Sequence, residues 1–392
     1  MKALILAAGK GTRVRPLTYA MPKPMVPILH RPVLEILVHH LRHYGFDRIM
    51  VNTSYLASQL ENYFRDGAAH GVQMAYSFEG RLEGENWISE ALGSAGAIKK
   101  IQEHSGFFDD TFLVMCGDAL IDLDLDGFLD FHRRKKAQVS VSLLRVERDQ
   151  VSHYGIARTG PDDRILAFQE KPKVEEALSN LANTGIYLFE PEVIDAIPSG
   201  GIYDIGSQLF PALAEQNAGI YGADIPFQWL DIGTVSDYYH VLQNALRGRV
   251  QGVSPRGDPI GEGIWAGLNV KIDLARCEIE PPVVLGGSVE IQPGCRLMGP
   301  VYIGSGSVIE SGAVVERSVI FDYTRLGPQA HVKEMMICGG YCVDSAGTVI
   351  DLAQSDIDWV IRDARRRSQP SPEQEQMLAL LQEIQSMPRA NP

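Results

Sequence analysis

The first 120 residues alternate short apolar runs with segments whose apolar residues recur every three or four positions. The first pattern predicts buried strands, and the second predicts amphipathic helices. Strands are predicted at residues 2–7, 47–51, 72–77 and 111–116, and helices at 31–45, 56–64 and 94–103. Strands that alternate with helices in this way predict an α/β fold with a doubly wound sheet.

Residues 139–245 continue this pattern with shorter elements. Strands are predicted at 139–144, 165–168 and 185–189, between helical pieces. We expect them to extend the first sheet into a Rossmann-like mixed sheet and to form the far wall of its cleft. Ligands of doubly wound sheets bind beyond the carboxyl ends of the strands. Gly9 and Asp118 each follow a predicted strand, so the sequence predicts a binding site at that edge.

The last third of the chain has a different period. Apolar residues recur every six positions, at Ile279, Leu285, Ile291, Leu297, Ile303, Ile309, Val315 and Phe321. A second, smaller series follows most of them by four positions, at Val283, Val289, Cys295, Val301, Ser307, Ala313 and Val319. A hexad repeat predicts a parallel β-helix in which six residues form one flat face. After Phe321 the spacing shortens by one residue, to Leu326 and Val332.

Changes in composition predict the domain boundaries. We expect a first domain at 1–247, a Gly- and Pro-rich linker at 248–262, a hexad domain at 263–352 and a helical tail at 353–392. In the tail, Ser371 and Gln374 are spaced as a capping box. The helix they would start carries Met377, Leu378, Leu381 and Ile384 on one stripe.

Composition excludes several functional classes. The 392 residues are 45% apolar and 22% charged, which is typical of a globular protein. The net charge of −13 argues against a nucleic-acid partner. No apolar run approaches the roughly 20 residues of a membrane helix, so no membrane association is expected. Five cysteines without a CxxC pair predict reduced thiols and a cytoplasmic location.

Positive charge is nevertheless concentrated at the amino end. No acidic residue precedes Glu35, whereas six cations do: Lys2, Lys10, Arg13, Arg15, Lys23 and Arg31. Gly9 and Gly11 allow a tight turn whose amides can approach an anion. The loop is neither a Rossmann fingerprint nor a P-loop, since the spacing of both motifs is absent. We therefore predict an anion-binding loop after the first strand.

The chain resembles the sugar-1-phosphate nucleotidylyltransferases. The resemblance rests on the loop at 6–18 and on segments 22–24, 92–96, 116–118, 170–172, 183–187 and 229–233, in this order. The hexad domain also matches, and its β-helix is expected to be left-handed. Within the family, the chain is similar to the mannose-1-phosphate guanylyltransferase-like group and, more narrowly, to cyanobacterial UDP-glucose pyrophosphorylases.

The resemblance implies a reaction in which a hexose 1-phosphate attacks a nucleoside triphosphate and releases pyrophosphate. It implies catalytic roles for Arg13, Lys23, Asp118 and Lys171, and a Mg²⁺ held by Asp118 and Asp231. The implied nucleotide-binding residues are Leu6, Ala8, Gly9, Gly11, Thr12, Arg13, Glu79, Glu90, Gly93 and Gly117. The implied sugar-phosphate-binding residues are Gly155, Glu170, Lys171, Asn183 and Gly185.

Two interpretations of the nucleotide base and the sugar of the substrates remain open. The closer family likeness favours UTP with glucose 1-phosphate. A carboxylate of Glu79 or Glu90 at the base edge could accept two hydrogen bonds from guanine, which favours GTP with mannose 1-phosphate. A non-catalytic regulatory subunit of the same architecture is the remaining alternative, although the signature residues are intact.

Two functional interpretations of the hexad domain also remain open. One is a second, acyltransferase active site, for which His331 is the available histidine base. The other is assembly, because flat-sided solenoids pair with further subunits through their faces and edges. We expect a homo-oligomer formed through the β-helix.

Overall fold

The structure is a computed structural model that describes residues 1–84, 86–216, 218–355, 357, 360–366 and 376. The helix predicted to start at Ser371 lies outside the described residues except for Gln376. The chain forms two compact units. The first contains Met1–Gly11, Met21–Val26 and Pro32–Asp231, and the second contains Thr12–Ala20, Pro27–Arg31 and the remainder from Ile232. No helix in the described part of the chain has the length and hydropathy needed to cross a bilayer.

The first unit contains most of the regular elements before residue 232. The strands in this part of the chain are β1 (Lys2–Leu6), β2 (Pro27–Ile28), β3 (Arg31–Pro32), β4 (Arg48–Thr53), β5 (Gln73–Phe78), β6 (Gly80–Glu83), β7 (Asn86–Ser89), β8 (Phe112–Cys116), β9 (Ala119–Ile121), β10 (Val139–Arg145), β11 (Gly155–Thr159), β12 (Ile165–Glu170), β13 (Leu181–Phe189), β14 (Ile220–Asp224) and β15 (Trp229–Asp231). The helices are α1 (Val33–His43), α2 (Ala57–Phe64), α3 (Ser94–Ser105), α4 (Leu125–Lys135) and α5 (Phe210–Glu215).

Nine of these strands form one mixed sheet. Its order is β12-β11-β13-β8-β1-β4-β5, and β10 joins β13 to β14. Strands β8, β1, β4 and β5 run parallel, whereas β13 is antiparallel to β8. This confirms the predicted doubly wound mixed sheet. The antiparallel hairpin of β6 and β7 was not predicted from the sequence.

The apolar runs form the central strands of the sheet, where other parts of the chain bury both faces of the sheet. Leu4 on β1 and Val114 on β8 are fully buried and belong to one core cluster with Phe112, Phe189 and Phe210. A strand buried on both faces reads as a continuous apolar run, which explains why these strands were found from the sequence.

The second unit is built on a parallel β-helix. Its strands are β16 (Asp258–Gly261), β17 (Ile264–Ala266), β18 (Glu278–Glu280), β19 (Val283–Leu285), β20 (Glu290–Ile291), β21 (Arg296–Met298), β22 (Val301–Ile303), β23 (Val308–Ile309), β24 (Val314–Glu316), β25 (Val319–Ile320), β26 (Thr324–Leu326), β27 (His331–Lys333), β28 (Met335–Cys338), β29 (Tyr341–Asp344), β30 (Val349–Asp351) and β31 (Ile361–Asp363). They form three sheets of eight, four and four strands. Parallel partners such as Val283 and Val301 are eighteen residues apart, so each coil has three six-residue faces.

The inward-facing series confirms the hexad prediction with one correction. Residues from Leu285 to Val315 in the first series and from Val283 to Ala313 in the second are buried. Val319 is also buried, but it pairs with Tyr302 rather than with Val301, so it is one residue out of register with the second series. The spacing shortens one repeat earlier than predicted, between Val315 and Ile320, because Ile320 rather than Phe321 pairs with Ile303 and is fully buried. The preceding turn contains Arg317 at a φ of 43°.

Helix α6 (Val235–Leu246) belongs to the same compact unit as the β-helix. Thr234 and Asp237 cap it reciprocally, as in a capping box. The Tyr239 hydroxyl donates to the Arg317 carbonyl at 2.6 Å, and the Tyr238 hydroxyl donates to the Pro27 carbonyl at 2.5 Å. These bonds explain why the compact units divide after Asp231 rather than after α6. The boundaries at 247 and 263 stay a prediction from composition.

Candidate active site

The loops that follow β1, β4 and β8 start side by side at one edge of the sheet. Leu6, the last residue of β1, is in register with Asn52 on one side and Cys116 on the other. The Gly117 amide donates to the Leu6 carbonyl at 2.9 Å, and the Ala7 amide donates to the Asn52 side-chain oxygen at 2.7 Å. The carboxyl edge is therefore held in a fixed arrangement where the sequence predicts the site.

Gly117 is required at this edge for a steric reason. A Cβ at this position would lie 2.9 Å from Cγ2 of Ile5 and 3.2 Å from the Leu6 carbonyl oxygen. Real Cβ atoms do not approach other heavy atoms that closely, so a larger residue would displace the chain. The glycine keeps Asp118 directly beyond the central strands.

Lys23 and Asp118 form an ion pair at this edge. The Lys23 ammonium lies 2.5 Å from the Asp118 carboxylate, and the lysine side chain is only 10% exposed. Lys23 begins a short 3-10 turn between Pro22 and Pro24, and prolines restrict the backbone there. The restricted backbone of Lys23 thus keeps its ammonium next to the Asp118 carboxylate, although 95 residues separate Lys23 from Asp118 in sequence.

A second carboxylate is brought to the same place by a two-stranded sheet. Strand β15 pairs with β9 so that Asp231 is in register with Ala119, the residue after Asp118. Burial raises the pKa of the Cys116 thiol, and the charges of Asp118 and Asp231 raise it further, whereas Lys23 lowers it. Both carboxylates and the lysine therefore act on one point of the edge.

The donor set of Asp118 and Asp231 fits a hard divalent cation. Two carboxylates supply the oxygen ligands that Mg²⁺ and similar ions prefer. The raised pKa keeps Cys116 as a thiol, which makes it a poor nucleophile. The chemistry that this arrangement supports is neutralisation of negative charge.

The residues predicted to bind the sugar phosphate meet on β11, β12 and β13. Gly155 is in register with Glu170, and a Cβ on Gly155 would lie 3.1 Å from Oε2 of Glu170 and 3.7 Å from Cβ of Asn183. The Asn183 amide group donates to the Tyr187 hydroxyl at 3.0 Å. The absence of a side chain at Gly155 leaves the Glu170 carboxylate room beside Asn183.

Gly185 connects this cluster to the edge at Cys116. It has a φ of 75°, and a Cβ there would lie 2.9 Å from the Cys116 sulfur. Its amide donates to the Asn183 side-chain oxygen at 3.1 Å. The strand β13 can therefore pass close to Cys116 only with glycine at this position.

Lys171 projects from the end of β12. Its backbone has a φ of 45°, which is unusual for a residue with a side chain. Its ammonium lies 3.4 Å from the Glu170 carboxylate, and both side chains are more than half exposed. This pair is open to solvent, in contrast to Lys23 and Asp118.

The Gly93 loop is anchored to a segment that sequence analysis did not identify. Gly93 has a φ of 74°, and a Cβ there would lie 2.5 Å from the Tyr203 carbonyl oxygen. Ser94 donates to Asp204 at 2.7 Å. Burial of Asp204 raises its pKa, but hydrogen bonds from Ser207, Ser94 and Gly206 outweigh this effect and leave the pKa lowered. Nothing in the spacing of the chain pointed to Asp204.

Glu79 is a buried residue of this edge. The Asn52 side chain donates to one of its oxygens, and the Leu92 amide lies 3.5 Å from the other. Burial raises the pKa of the Glu79 carboxyl, although Leu92, Asn52 and Lys100 lower it in part. Glu79 thus links the strands to the Gly93 loop. Glu90 is exposed, and its amide donates to the Glu79 carbonyl at 3.2 Å. Asn52 is a polar residue directly after the apolar run of β4, which ends at Thr53, and this signal could have been recognised in the sequence.

The residues of the predicted anion-binding loop belong to different compact units. Ala8, Gly9 and Gly11 lie in the first unit, whereas Thr12 and Arg13 lie on a 3-10 turn of the second. Thr12 and Arg13 are exposed. Their roles in holding phosphates stay a prediction.

Comparison with known proteins identifies the class to which this site belongs. The nucleotidyl transferase profile matches residues 2–248, and the bacterial transferase hexapeptide profile, of six repeats, matches residues 282–317. The chain belongs to the nucleotidyl transferase family, in the branch that carries hexapeptide repeats. The predicted family and the predicted repeat domain are both confirmed.

Individual relatives show which members of the family this chain is similar to. The chain is 50% identical over 386 residues to a UTP–glucose-1-phosphate uridylyltransferase from Synechocystis, which covers 97% of this chain and 100% of the relative. It is 35% identical to a mannose-1-phosphate guanylyltransferase from Mycobacterium tuberculosis over 80% of this chain and 83% of the relative. A solved UDP-glucose pyrophosphorylase in complex with UDP-glucose superposes with a TM-score of 0.54 at 23% identity, over 63% of this chain and 99% of that one. This likeness shows the fold alone.

Proposed function

We propose that this protein transfers the uridylyl group of UTP to glucose 1-phosphate and forms UDP-glucose and pyrophosphate. The observation that carries this proposal is the 50% identity to the Synechocystis uridylyltransferase along almost the whole of both chains. The ion pair of Lys23 with Asp118, beside Asp231, supports the same reaction because two polyanions must be brought together.

The substrate itself is the nucleophile in this reaction. A phosphate oxygen of glucose 1-phosphate attacks the α-phosphorus of UTP, a new phosphorus–oxygen bond forms, and the bond to the β-phosphate oxygen breaks. Pyrophosphate leaves with the electron pair. A phosphate monoester carries about −1.5 to −2 charges near pH 7, so its approach to a triphosphate is strongly repulsive without neutralisation. The protein has to position the reactants and supply opposite charge.

Lys23 is the residue we assign to the reacting phosphates. Its ammonium is already held in place by Asp118, so little reorganisation is needed when phosphates arrive. Asp118 and Asp231 would hold Mg²⁺, which supplies positive charge to the phosphates when bound. The backbone of Gly9 and Gly11, with Arg13 following in sequence, would hold the triphosphate and the departing pyrophosphate.

The sugar phosphate is assigned to the cluster on β11 to β13. At the gap that Gly155 leaves, Glu170 would accept hydrogen bonds from the sugar hydroxyls, and Asn183 would donate hydrogen bonds to them. Lys171, which is exposed beside Glu170, would reach the phosphate. The Lys171–Glu170 pair is open enough to rearrange around a ligand.

Release of pyrophosphate tests the substrates directly. The purified protein is mixed with Mg²⁺, each of the four nucleoside triphosphates, and either glucose 1-phosphate or mannose 1-phosphate. The proposal predicts that UTP with glucose 1-phosphate has the highest kcat/KM. Higher kcat/KM with another pair would overturn the assignment, and no release with any pair would favour a non-catalytic regulatory subunit.

A second candidate is the transfer of a guanylyl group from GTP to mannose 1-phosphate. The Mycobacterium tuberculosis relative, at 35% identity, supports it. The hydrogen-bond argument for guanine is weakened for Glu79, whose two oxygens contact Asn52 and the Leu92 amide. Glu90 is exposed and keeps this alternative testable in the same assay.

We also infer that the chain assembles into a homo-oligomer through the β-helix, in a reducing, cytoplasmic compartment. The hexapeptide profile and the three flat sheets support assembly. All five cysteines are free thiols, which fits a reducing compartment. Size-exclusion chromatography with light scattering tests assembly, and a monomer at micromolar concentration would contradict it.

A further inference from the structure

A second group of potential metal ligands lies on α1 and the turn before β5. Glu35 and His39 are on α1, and His70 ends a 3-10 turn at Ala68–His70. One ligand atom from each of the three residues lies within 4.8 Å of the others. Glu35 is buried, His39 is exposed and His70 is intermediate. None of them belongs to the cluster of Lys23, Asp118 and Asp231.

Local backbone geometry brings the three residues together. Glu35 and His39 are four positions apart on a helix, so their side chains lie on the same face. The turn that carries His70 is bounded by Gly67 and Gly71, at φ values of 81° and 72°. These left-handed conformations suit glycine and direct the turn toward the helix.

Neighbouring side chains orient two of the three ligands. The Tyr63 hydroxyl donates to Oε2 of Glu35 at 2.5 Å. The Tyr63 ring also stacks on the His70 ring, with centroids 6.0 Å apart, and Phe64 contacts His70 at 5.0 Å. In metal sites such outer partners fix the direction of the ligands and are needed for full affinity.

We propose that Glu35, His39 and His70 bind a divalent transition-metal ion of the Zn²⁺ type. Two imidazoles and one carboxylate form a ligand set that Zn²⁺ takes, whereas Mg²⁺ prefers oxygen ligands alone. Bonds of about 2.0–2.1 Å would place tetrahedral ligands about 3.3 Å apart. The observed separations require a small inward rotation, which the exposed His39 side chain can make.

The expected consequence of metal binding is a cross-link between two elements of the first unit. The ion would join α1 to the turn that leads into β5, the edge strand of the large sheet. Metal bound only by the folded protein stabilises it by mass action. The site leaves a fourth position for water and takes no part in the proposed transfer reaction.

The test uses the full-length protein with excess Mg²⁺, which occupies the oxygen ligands of the other site. Zn²⁺ is added by dialysis, the bound metal is counted by mass spectrometry, and thermal unfolding is followed in parallel. We expect one Zn²⁺ per chain and a raised Tm for the wild type. His39→Ala and His70→Ala should each bind at least about a hundredfold more weakly, and Tyr63→Phe about tenfold more weakly.

His43→Ala is the matched control because His43 is an exposed histidine of the same helix outside the group. It should bind Zn²⁺ and shift its Tm as the wild type does. The proposal is overturned if the wild type binds no more Zn²⁺ than a His39→Ala/His70→Ala double variant. It is also overturned if His43→Ala lowers binding as much as His39→Ala.

Discussion

A lysine–aspartate ion pair lies near each end of the neighbouring strands β1 and β8, and the two pairs have almost the same N–O distance. At the amino end, Lys2 lies 2.6 Å from Asp109, and at the carboxyl end, Lys23 lies 2.5 Å from Asp118. Both lysine side chains are 10% exposed. Geometry of the pair alone therefore does not define the site.

Location separates the two pairs. Only the carboxyl edge has the adjoining loops of β1, β4 and β8 and the second carboxylate of Asp231. Asp109 is 65% exposed, whereas Asp118 is 32% exposed and is held beyond Gly117. Under the proposed function, a shared phosphate and metal site needs converging charges at a partly enclosed edge, whereas an ion pair whose carboxylate is exposed contributes little.

The largest expected effect is on turnover at the carboxyl end. Asp118→Asn and Lys23→Ala should each lower kcat by at least about a hundredfold, because each removes one charge from the reacting centre. Asp109→Asn, the matched change at the amino end, should leave kcat within about twofold. Steady-state pyrophosphate release measures all three, and equal losses in Asp118→Asn and Asp109→Asn would remove the distinction.

The exposed pair of Lys171 and Glu170 sharpens the comparison. Lys171→Ala should raise the KM for glucose 1-phosphate about tenfold, since a charged hydrogen bond is worth about 1.5–3 kcal/mol and this one is solvent-exposed. The change in kcat should be smaller. A fall in kcat as large as that of Lys23→Ala, with KM unchanged, would show that Lys171 acts at the reacting phosphorus instead.

Position can be tested without removal of charge. Gly117→Ala adds a methyl group 2.9 Å from Ile5 and must displace Asp118. We expect kcat to fall about tenfold, because a shift of about 1 Å can cost up to a hundredfold. Urea unfolding serves as the control for general damage. An unchanged kcat in a folded Gly117→Ala protein would argue that the place of Asp118 is not critical.

The smallest expected effect is a pH dependence at the amino end. The hydrogen bond from Lys2 lowers the pKa of Asp109 below its ordinary value of 3.8. Asp109 therefore contributes stability that is present above about pH 3.8 and is lost as the pH falls through the lowered pKa. Asp109→Asn should unfold slightly more easily than the wild type near neutral pH, and this difference should vanish in acid. A difference that persists unchanged in acid would refute the linkage.

Local patterns predicted most of the fold. Strands β1, β4 and β8 are visible in sequence as continuous apolar runs because the sheet buries them on both faces. The hexad coils are visible because burial recurs there with a fixed period. The exception at Ile320 arises where α6 bonds to the Arg317 turn, a contact far away in sequence. A local period cannot include such a contact.

Only part of the candidate site could be predicted, because the contacts that complete it join residues far apart in sequence. Lys23, Asp118 and Asp231 came from the family resemblance, and the structure places them at one edge. The bonds from Asn52 to Glu79 and from Ser94 to Asp204 span 27 and 110 residues, and only the folded chain reveals them. Their polar residues lie in loops and strand ends, where no period marks them.

The central claim is that Asp118 and Asp231 jointly hold one divalent cation beside Lys23. A titration with Mn²⁺, followed by the electron paramagnetic resonance signal of the free ion, tests it directly. In a His39→Ala background, which removes one of the three ligands of the other candidate site, the account predicts one bound Mn²⁺ per chain. It further predicts at least tenfold weaker binding on adding either Asp118→Asn or Asp231→Asn, in line with the loss of a hard oxygen ligand. Unchanged Mn²⁺ affinity in both variants would contradict it.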